Sequence, residues 1–321
     1  MRLAFVADEL TSFIKNHDST WALMQAGFEL GHEIFYSHLS DLSVLGEPHA
    51  NCIRLDEEFF QHQKSSASSL LEFPALPRTQ HLSLESFDKV FMRADPPVDQ
   101  QYVHACQILS LCKKAQVLNN PRAILEHNEK LSIFNFPDLI LPTIVTTDLD
   151  EINIFMQAHG TVVVKPLDLM GGQGIFILSA QNFHQFETLS GRAIDKNSIK
   201  PLMIQKFLPE VKTNGDKRLI MVNGKLEGAL RRIPSQSDFR ANIAAGGTYA
   251  KYEPSVRDRE ICSNLSSFLI NNGIILAGVD VIGDYLTEIN ITSPTCLQEI
   301  NRVNNWQAQD QLEYRVLEAI S

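Results

Sequence analysis

The stretch VVVKPLDLMGGQGIFIL, residues 162–178, restricts the possible folds more than any other part of the chain. Two apolar runs of strand length flank a loop that holds Gly171, Gly172, Gln173 and Gly174. A P-loop places its lysine after the glycines, at the start of a helix. Here Lys165 precedes them and a strand follows. A dinucleotide fingerprint needs Gly-x-Gly-x-x-Gly opening a helix, and neither the spacing nor the next element matches. Both of those nucleotide-binding turns are therefore excluded. What remains is a Gly-rich loop between two strands. It is either a plain hairpin tip or a flexible segment whose backbone N–H groups face an anion, with Lys165 as a point charge at its root.

The segments on either side set the architecture. Residues 2–7, RLAFVA, read as a buried strand, Asp18, Ser19 and Thr20 supply N-cap chemistry for the helix WALMQAGFELG, and HEIFYSHL returns as a strand, which makes a βαβ unit. HQKSSASSLLEFPALPR is Ser-rich and Pro-punctuated and reads as an exposed excursion. DKVFMR is a strand ending at Pro96-Pro97, a helix follows over roughly 99–115, and QVLN is a short strand. Residues 1–122 thus read as an open, mostly parallel α/β domain. Beyond them, NEKLSIFNF reads as a helix capped by Asn128, and PLMIQKFLP as a strand running into a bend. Asn223-Gly224 between two apolar runs is a strong hairpin signal. A helix over 255–271, the strands ILAGVDVI and YLTEINIT, and one final helix complete the chain. The polar, Gly-rich segment 234–250 reads as a mobile lid loop.

The net charge of −10 lowers the prior for a nucleic-acid partner and makes any basic cluster stand out. Arg218, Arg231, Arg232 and Arg240 fall within one 23-residue stretch. Five scattered cysteines form no Cys-x-x-Cys, which points to reduced thiols. The apolar run before Asp8 is too short for a signal peptide and no run has membrane-spanning length, so the expected location is cytoplasmic.

In LTEINITSPTC, Glu288 and Asn290 sit two apart on a strand and so share a face. Both offer hard oxygen donors of the kind Mg²⁺ accepts; the alternative is the polar face of an edge strand. Asp280 on the preceding strand is a third donor only under one condition. A two-residue turn at Gly283-Asp284, which the turn chemistry favours, turns it away from Glu288. A three-residue loop or a bulge sets the two opposite each other.

The markers NEKL, VVVKP…MGGQGIF, IQKFLP, GDKRLIMVNG and GVDVIG…LTEINITSPT, in this order, resemble the ATP-grasp superfamily. With MRADPP and RRIP…AAGG added, the whole chain resembles the prokaryotic glutathione synthetase family. The resemblance implies a two-lobed ATP-grasp α+β fold with antiparallel sheets after the N-terminal domain, with lobes at 123–202 and 203–321. It implies an ATP-dependent ligase joining γ-glutamylcysteine to glycine, with Mg²⁺, or Mn²⁺ as the alternative ion, and a homodimer or homotetramer. By position, Lys130 and Lys165 would hold ATP phosphates, Gly171, Gly172, Gln173 and Gly174 would close over them, and Gln205, Lys206, Phe207 and Leu208 would bind adenine. Asp216 and Arg218 would lie by the nucleotide. Arg232, Arg240 and Asn242 would contact phosphate or substrate carboxylates. Glu288 and Asn290 would hold the metal, with Asp280 as third ligand. Ser293, Pro294 and Thr295 would line the dipeptide pocket, and Asp18, Ser19, Thr20 and Arg93 would approach substrate from the N-terminal domain. The departures from the family pattern are Gln173 and Gly174 in the loop, Arg231 beside Arg232, and the Ser-rich excursion.

Such a reaction explains the residue types. Phosphorylating a carboxylate gives an acyl phosphate that an amine can attack, and that step depends on positioning and charge neutralisation. One well-placed donor contributes about 3 kcal/mol to the transition state. The competing readings are an ATP-grasp ligase for another acyl donor or amine, such as a glutamate or D-alanine ligase, and a nucleotide-binding protein without turnover.

Overall fold

The computed structural model describes residues 1–75, 77–186, 194–195, 198–235, 240 and 246–321, with the backbone alone at 194–195 and 198–199. The first strand, β1 (Arg2–Ala7), is buried from Leu3 onward. It lies between two parallel neighbours, β2 (Glu33–His38) and β6 (Lys89–Met92), and β6 pairs parallel with β7 (Gln116–Leu118). The other side of the sheet is antiparallel: β4 (Glu47–Leu55) pairs with β2 and also carries β3 (Leu42–Leu45) and β5 (Thr79–Ser83). The parallel part is the expected α/β domain. The excursion begins inside a helix, Glu57–Ser65, and only the residues after it are loop.

Helix Ser19–Glu29 starts where the sequence predicts, with the Asp18 carboxylate accepting from Trp21 N at 2.8 Å. The helix expected over 99–115 stops at Leu109. The segment after Asn128 is a 3₁₀ turn, Leu131–Asn135, whose first amides the Asn128 side chain still caps.

Four antiparallel strands, β8 (Thr143–Thr146), β9 (Val162–Pro166), β10 (Phe176–Leu178) and β13 (Leu202–Lys206), form the first lobe's sheet in the order β10-β9-β13-β8. Between β10 and β13 lies a two-residue ladder of β11 (Ile194–Asp195) and β12 (Ser198–Ile199). Helix Leu149–His159 packs Ile152, Phe155 and Met156 on this sheet.

The second lobe is a five-stranded antiparallel sheet in the order β16-β15-β14-β17-β18: β14 (Asp216–Val222), β15 (Lys225–Ile233), β16 (Thr248–Lys251), β17 (Leu276–Ile282) and β18 (Tyr285–Asn290). Asn223 and Gly224, at φ 46° and 74°, make the predicted tight turn between β14 and β15. Helix Val256–Asn271 packs on the sheet through Ile261, Cys262, Leu265 and Leu269, and starts in a capping box of Ser255 and Asp258. The chain closes in two helices, Leu297–Asn304 and Leu312–Glu318, where the sequence predicts one. Leu297, Ile300 and Leu312 pack on this lobe, and Val316 and Leu317 belong to the same cluster as Leu3, Phe5 and Ile34 of the N-terminal domain. No helix among the described residues is long and apolar enough to cross a membrane.

Candidate active site

The sheets of the two lobes and one edge of the N-terminal domain enclose a cleft of about 320 Å³. Its position follows from strand alternation. Arg218 on β14, Arg232 on β15, Asp280 on β17, and Glu288 and Asn290 on β18 all line it. Arg231, adjacent to Arg232 on β15, points to the other face and does not line it. The Asp280 question is resolved by a bulge. The turn at Gly283-Asp284 is the two-residue one, with Ile282 opposite Tyr285, but the register shifts between Asp280 and Val281, so Asp280 pairs with Glu288.

Four charges lock together at the centre. Arg218 grips Asp280 through Nε and Nη2 at 2.6 and 3.0 Å, and Arg232 grips Asp216 through Nε and Nη2 at 2.6 and 2.7 Å. Arg232 Nη2 also lies 2.9 Å from Asp280 Oδ2, which joins the two pairs. All four side chains are buried. Burial alone would raise the Asp280 carboxyl pKa, but the two guanidinium groups outweigh it and hold it well below the usual range. Gly278 lies under Arg218: a Cβ there would come within 3.0 Å of Nη1.

Two lysines face this group. Lys130 Nζ lies 3.0 Å from Glu288 Oε1 and donates to Leu169 O at 2.8 Å. Burial lowers its pKa, yet the Glu288 charge prevails and the net shift is upward. Lys165 Nζ donates to Gln205 Oε1 at 2.9 Å, and Gln205 Nε2 to Thr143 Oγ1 at 3.0 Å. Burial shifts the Lys165 pKa down. Arg240 donates from Nη1 to Gly172 O at 2.9 Å, which ties its segment to the Gly-rich loop.

The donor set fits a divalent cation. Asn290 spends Nδ2 on Gly278 O and Asp280 Oδ2, at 2.9 and 3.3 Å, which orients its carbonyl oxygen as the atom that could coordinate. With Glu288 and Asp280 it makes three hard oxygen donors on one face. Among the described residues no three His, Cys, Asp or Glu side chains converge as a ready-made cage, because one donor is an amide and Asp280 is committed to arginines.

Most residues singled out in the sequence meet here. Lys130, Lys165, Gly171, Gly172, Gln205, Lys206, Phe207, Leu208, Asp216, Arg218, Arg232, Arg240, Asp280, Glu288, Asn290, Asp18, Ser293, Pro294 and Thr295 all line the cleft. Gln173 and Gly174 do not, although Gly174 takes φ 67° and packs on Pro166. Ser19 is buried behind the wall and accepts from Leu297 N at 3.3 Å. Thr20 and Arg93 are buried too: Arg93 Nε donates to Thr20 Oγ1 and Nη2 to Pro294 O, both at 3.0 Å. Asn242, and with it 236–239 and 241–245 of the expected lid, lies outside the described residues.

Three residues that sequence reasoning missed organise the site. Glu129 Oε1 accepts from Ile291 N, Thr292 N and Thr292 Oγ1, at 2.7, 2.9 and 2.8 Å. Asn119 donates to Leu276 O and Ile291 O, both at 2.7 Å, and accepts from Ile275 N and Leu276 N. Together they hold the peptide linking Asn290 to Ser293 from both sides. Asp95, beside the quoted Pro-Pro turn, lines the cleft and is hydrogen-bonded to Ser293. A Glu beside Lys130 was the one available signal for this set.

Comparisons with known proteins agree with one another. Residues 1–124 match the model of the prokaryotic glutathione synthetase N-terminal domain, and residues 129–305 that of its ATP-grasp domain. A glutathione synthetase of Nostoc sp. is 41% identical over 318 residues, covering 97% of this chain and 96% of the relative. One from Neisseria meningitidis serogroup A is 38% identical, covering 94% and 93%. Among solved structures, D-cycloserine synthetase DcsG superposes with TM-score 0.68 at 12% identity, covering 100% of this chain and 98% of that one. A RimK domain protein ATP-grasp from Sphaerobacter thermophilus gives 0.60 at 15% identity, covering 99% of each. At such identities these two show the ATP-grasp fold alone.

Proposed function

We propose a division of labour in this cleft from one premise: the chain belongs to the prokaryotic glutathione synthetase family and is an ATP-dependent ligase that makes glutathione. The enzyme uses ATP and a divalent metal ion, and joins γ-glutamylcysteine to glycine. In the proposal, Gln205, Lys206, Phe207 and Leu208 hold the adenine end, while Lys130 and Lys165 meet the phosphates. Gly171–Gly174 cover the phosphates, with Arg240 bonded to the loop at Gly172. Glu288, Asn290 and Asp280 would hold Mg²⁺, or Mn²⁺ as the alternative. Bound there, the ion would neutralise phosphate charge and align the transferred group.

The cysteinyl carboxylate of the dipeptide takes the γ-phosphoryl group beside Arg218 and Arg232. Nε and Nη2 of the two guanidinium groups are spent on Asp280 and Asp216, and Nη1, which on Arg218 also donates to Thr295 O at 3.5 Å, would meet that group. The glycine amine then attacks the acyl carbon, the C–N bond forms, and phosphate leaves with the electrons of the C–O bond. Ser293–Thr295 support the dipeptide, with Asp18, Ser19, Thr20 and Arg93 behind them. Asn242 would contact a substrate carboxylate from the lid over 234–250. The division into 1–122, 123–202 and 203–321 belongs to the same reading, except that β13 pairs within the first lobe's sheet and so carries that lobe to Lys206 at least. So do a homodimer or homotetramer and a cytoplasmic setting, the latter supported by five free cysteines.

One observation carries the reading: lysines, arginines and oxygen donors drawn from five strands and from the segments of Lys130 and Arg240 converge in one cleft between two lobes. The test is ADP release with Mg-ATP and γ-glutamylcysteine, with and without glycine. Glycine-dependent release supports it. Release only with other amino-acid pairs makes the chain a different ATP-grasp ligase, and ATP binding without turnover makes it a binding protein.

A further inference from the structure

Among the described residues, His17 is the one histidine that lines the cleft. Its Nδ1 lies 2.7 Å from Oε1 of Glu299, in the first turn of helix Leu297–Asn304. A carboxylate oxygen accepts, so this hydrogen bond keeps the proton on Nδ1 and leaves Nε2 as the lone-pair nitrogen of the neutral ring. Nε2 has no partner among the described residues. With Nδ1 turned onto Glu299, it lies on the edge that the half-buried ring offers to the cleft. The charges that act on the ring are those of Glu299, the adjacent Asp18, and Arg302. Arg302 shares Glu299 Oε1, at 2.7 Å from Nη2, and sends Nη1 to Asn16 O and Nε to the Tyr249 hydroxyl. Glu299 Oε2 is buried without a partner among the described residues. A buried carboxylate with one oxygen unsatisfied favours added positive charge beside it, and so helps the ring to take up a proton. The hydrogen bond to Glu299 accordingly outweighs burial and holds the His17 pKa above its ordinary value.

The helix sets this pair beside the reacting end of the cleft. Glu299 stands one turn beyond Cys296, which lines the cleft and feels the charges of Arg218, Arg232 and Glu299 together. Thr295 O, next to Cys296, meets Arg218 Nη1 at 3.5 Å. The geometry points to His17 as the proton acceptor for the glycine ammonium, with Glu299 as the residue that positions it. The inference rests on the functional reading above and deepens it. Glycine arrives as an ammonium, and its nitrogen has no lone pair until a proton leaves. That proton passes to Nε2. The freed pair forms the C–N bond at the acyl carbon, phosphate leaves with the electrons of the C–O bond, and a second proton of the nitrogen departs with the phosphate. The imidazolium then returns its proton to water. The other ionisable groups of the cleft are poorer acceptors, since carboxylates are ordinarily weak bases near neutrality and lysines and arginines are ordinarily protonated there.

The test is kcat/KM for glycine against pH. In the unmodified enzyme it is expected to level off above the pH at which His17 loses its proton. In His17→Gln only the free amine can react, so the value should fall about 10²-fold near neutrality and climb about tenfold per pH unit toward the amino pKa of glycine. Hydroxylamine has an unprotonated nitrogen near neutrality, and the same variant is expected to lose no more than about twofold in forming the hydroxamate from it. Glu299→Gln should keep the plateau and move its onset to lower pH, because the charge that favours the proton on His17 is gone. A His17→Gln profile parallel to that of the unmodified enzyme overturns the inference. So does an equal loss on glycine and hydroxylamine, which would mark a structural role, or an onset that Glu299→Gln leaves in place. Absence of glycine-dependent ADP release in the unmodified enzyme is a separate result; it overturns the functional reading, and the role of His17 with it.

Discussion

Glu288 is the counter-charge of a buried lysine and an oxygen donor beside Asn290 on the same strand face. Glu288→Gln keeps the shape and removes the charge, so kcat is expected to fall about 10²–10³-fold, the size seen when one transition-state stabilising group is lost. Circular dichroism should stay unchanged; near-normal kinetics would refute the metal role. His17 offers a test by pH. Its hydrogen bond to buried Glu299, at 2.7 Å, outweighs burial and raises its pKa above 6.5. A raised folded-state value means the protonated form favours the fold. Its stabilisation is complete below about 6.5 and is lost as pH rises through the folded value. Thermal unfolding of His17→Gln against pH should lack that decline, and an unchanged profile would show that the pair contributes nothing.

At the scale of elements, Arg240 is bonded to the Gly-rich loop by a hydrogen bond from Nη1 to Gly172 O. Arg240→Ala is expected to slow turnover and to let ADP form without glutathione, because water reaches the acyl phosphate when the cover is loosened. Equal yields of ADP and product in this variant would count against a lid. The β14–β15 hairpin and the shared face of Glu288 and Asn290 were legible in the sequence because Asn223-Gly224 and the two-residue spacing are local signals, whereas β3, β4, β5, β8 and β16 carried none that was read. The bulge at Asp280 was not, since a two-residue turn alone predicts the opposite facing. Nor was the role of Glu129, whose partners are two backbone amides and the Thr292 hydroxyl, 162 and 163 residues away in the chain and so outside any local pattern. Arg231 looked like part of the basic cluster by proximity, but alternation along β15 turns it away.

On the scale of the whole molecule, the domains are joined by shared interior rather than by a hinge alone. Asn119 makes four hydrogen bonds from the end of β7 to the backbone around Leu276 and Ile291. Asn119→Ala strands those groups and is expected to lower stability by at least about 2 kcal/mol. Denaturant melts should show one cooperative transition moved to lower midpoint; two separated transitions would mean the domains stand independently. Leu3 and Phe5 lie in one cluster with Val316, Leu317 and Ile320, which stand far downstream in the chain. During synthesis this strand therefore lacks part of its apolar cover until a stretch some three hundred residues downstream has been translated, which leaves hydrophobic surface exposed to non-native association in the meantime.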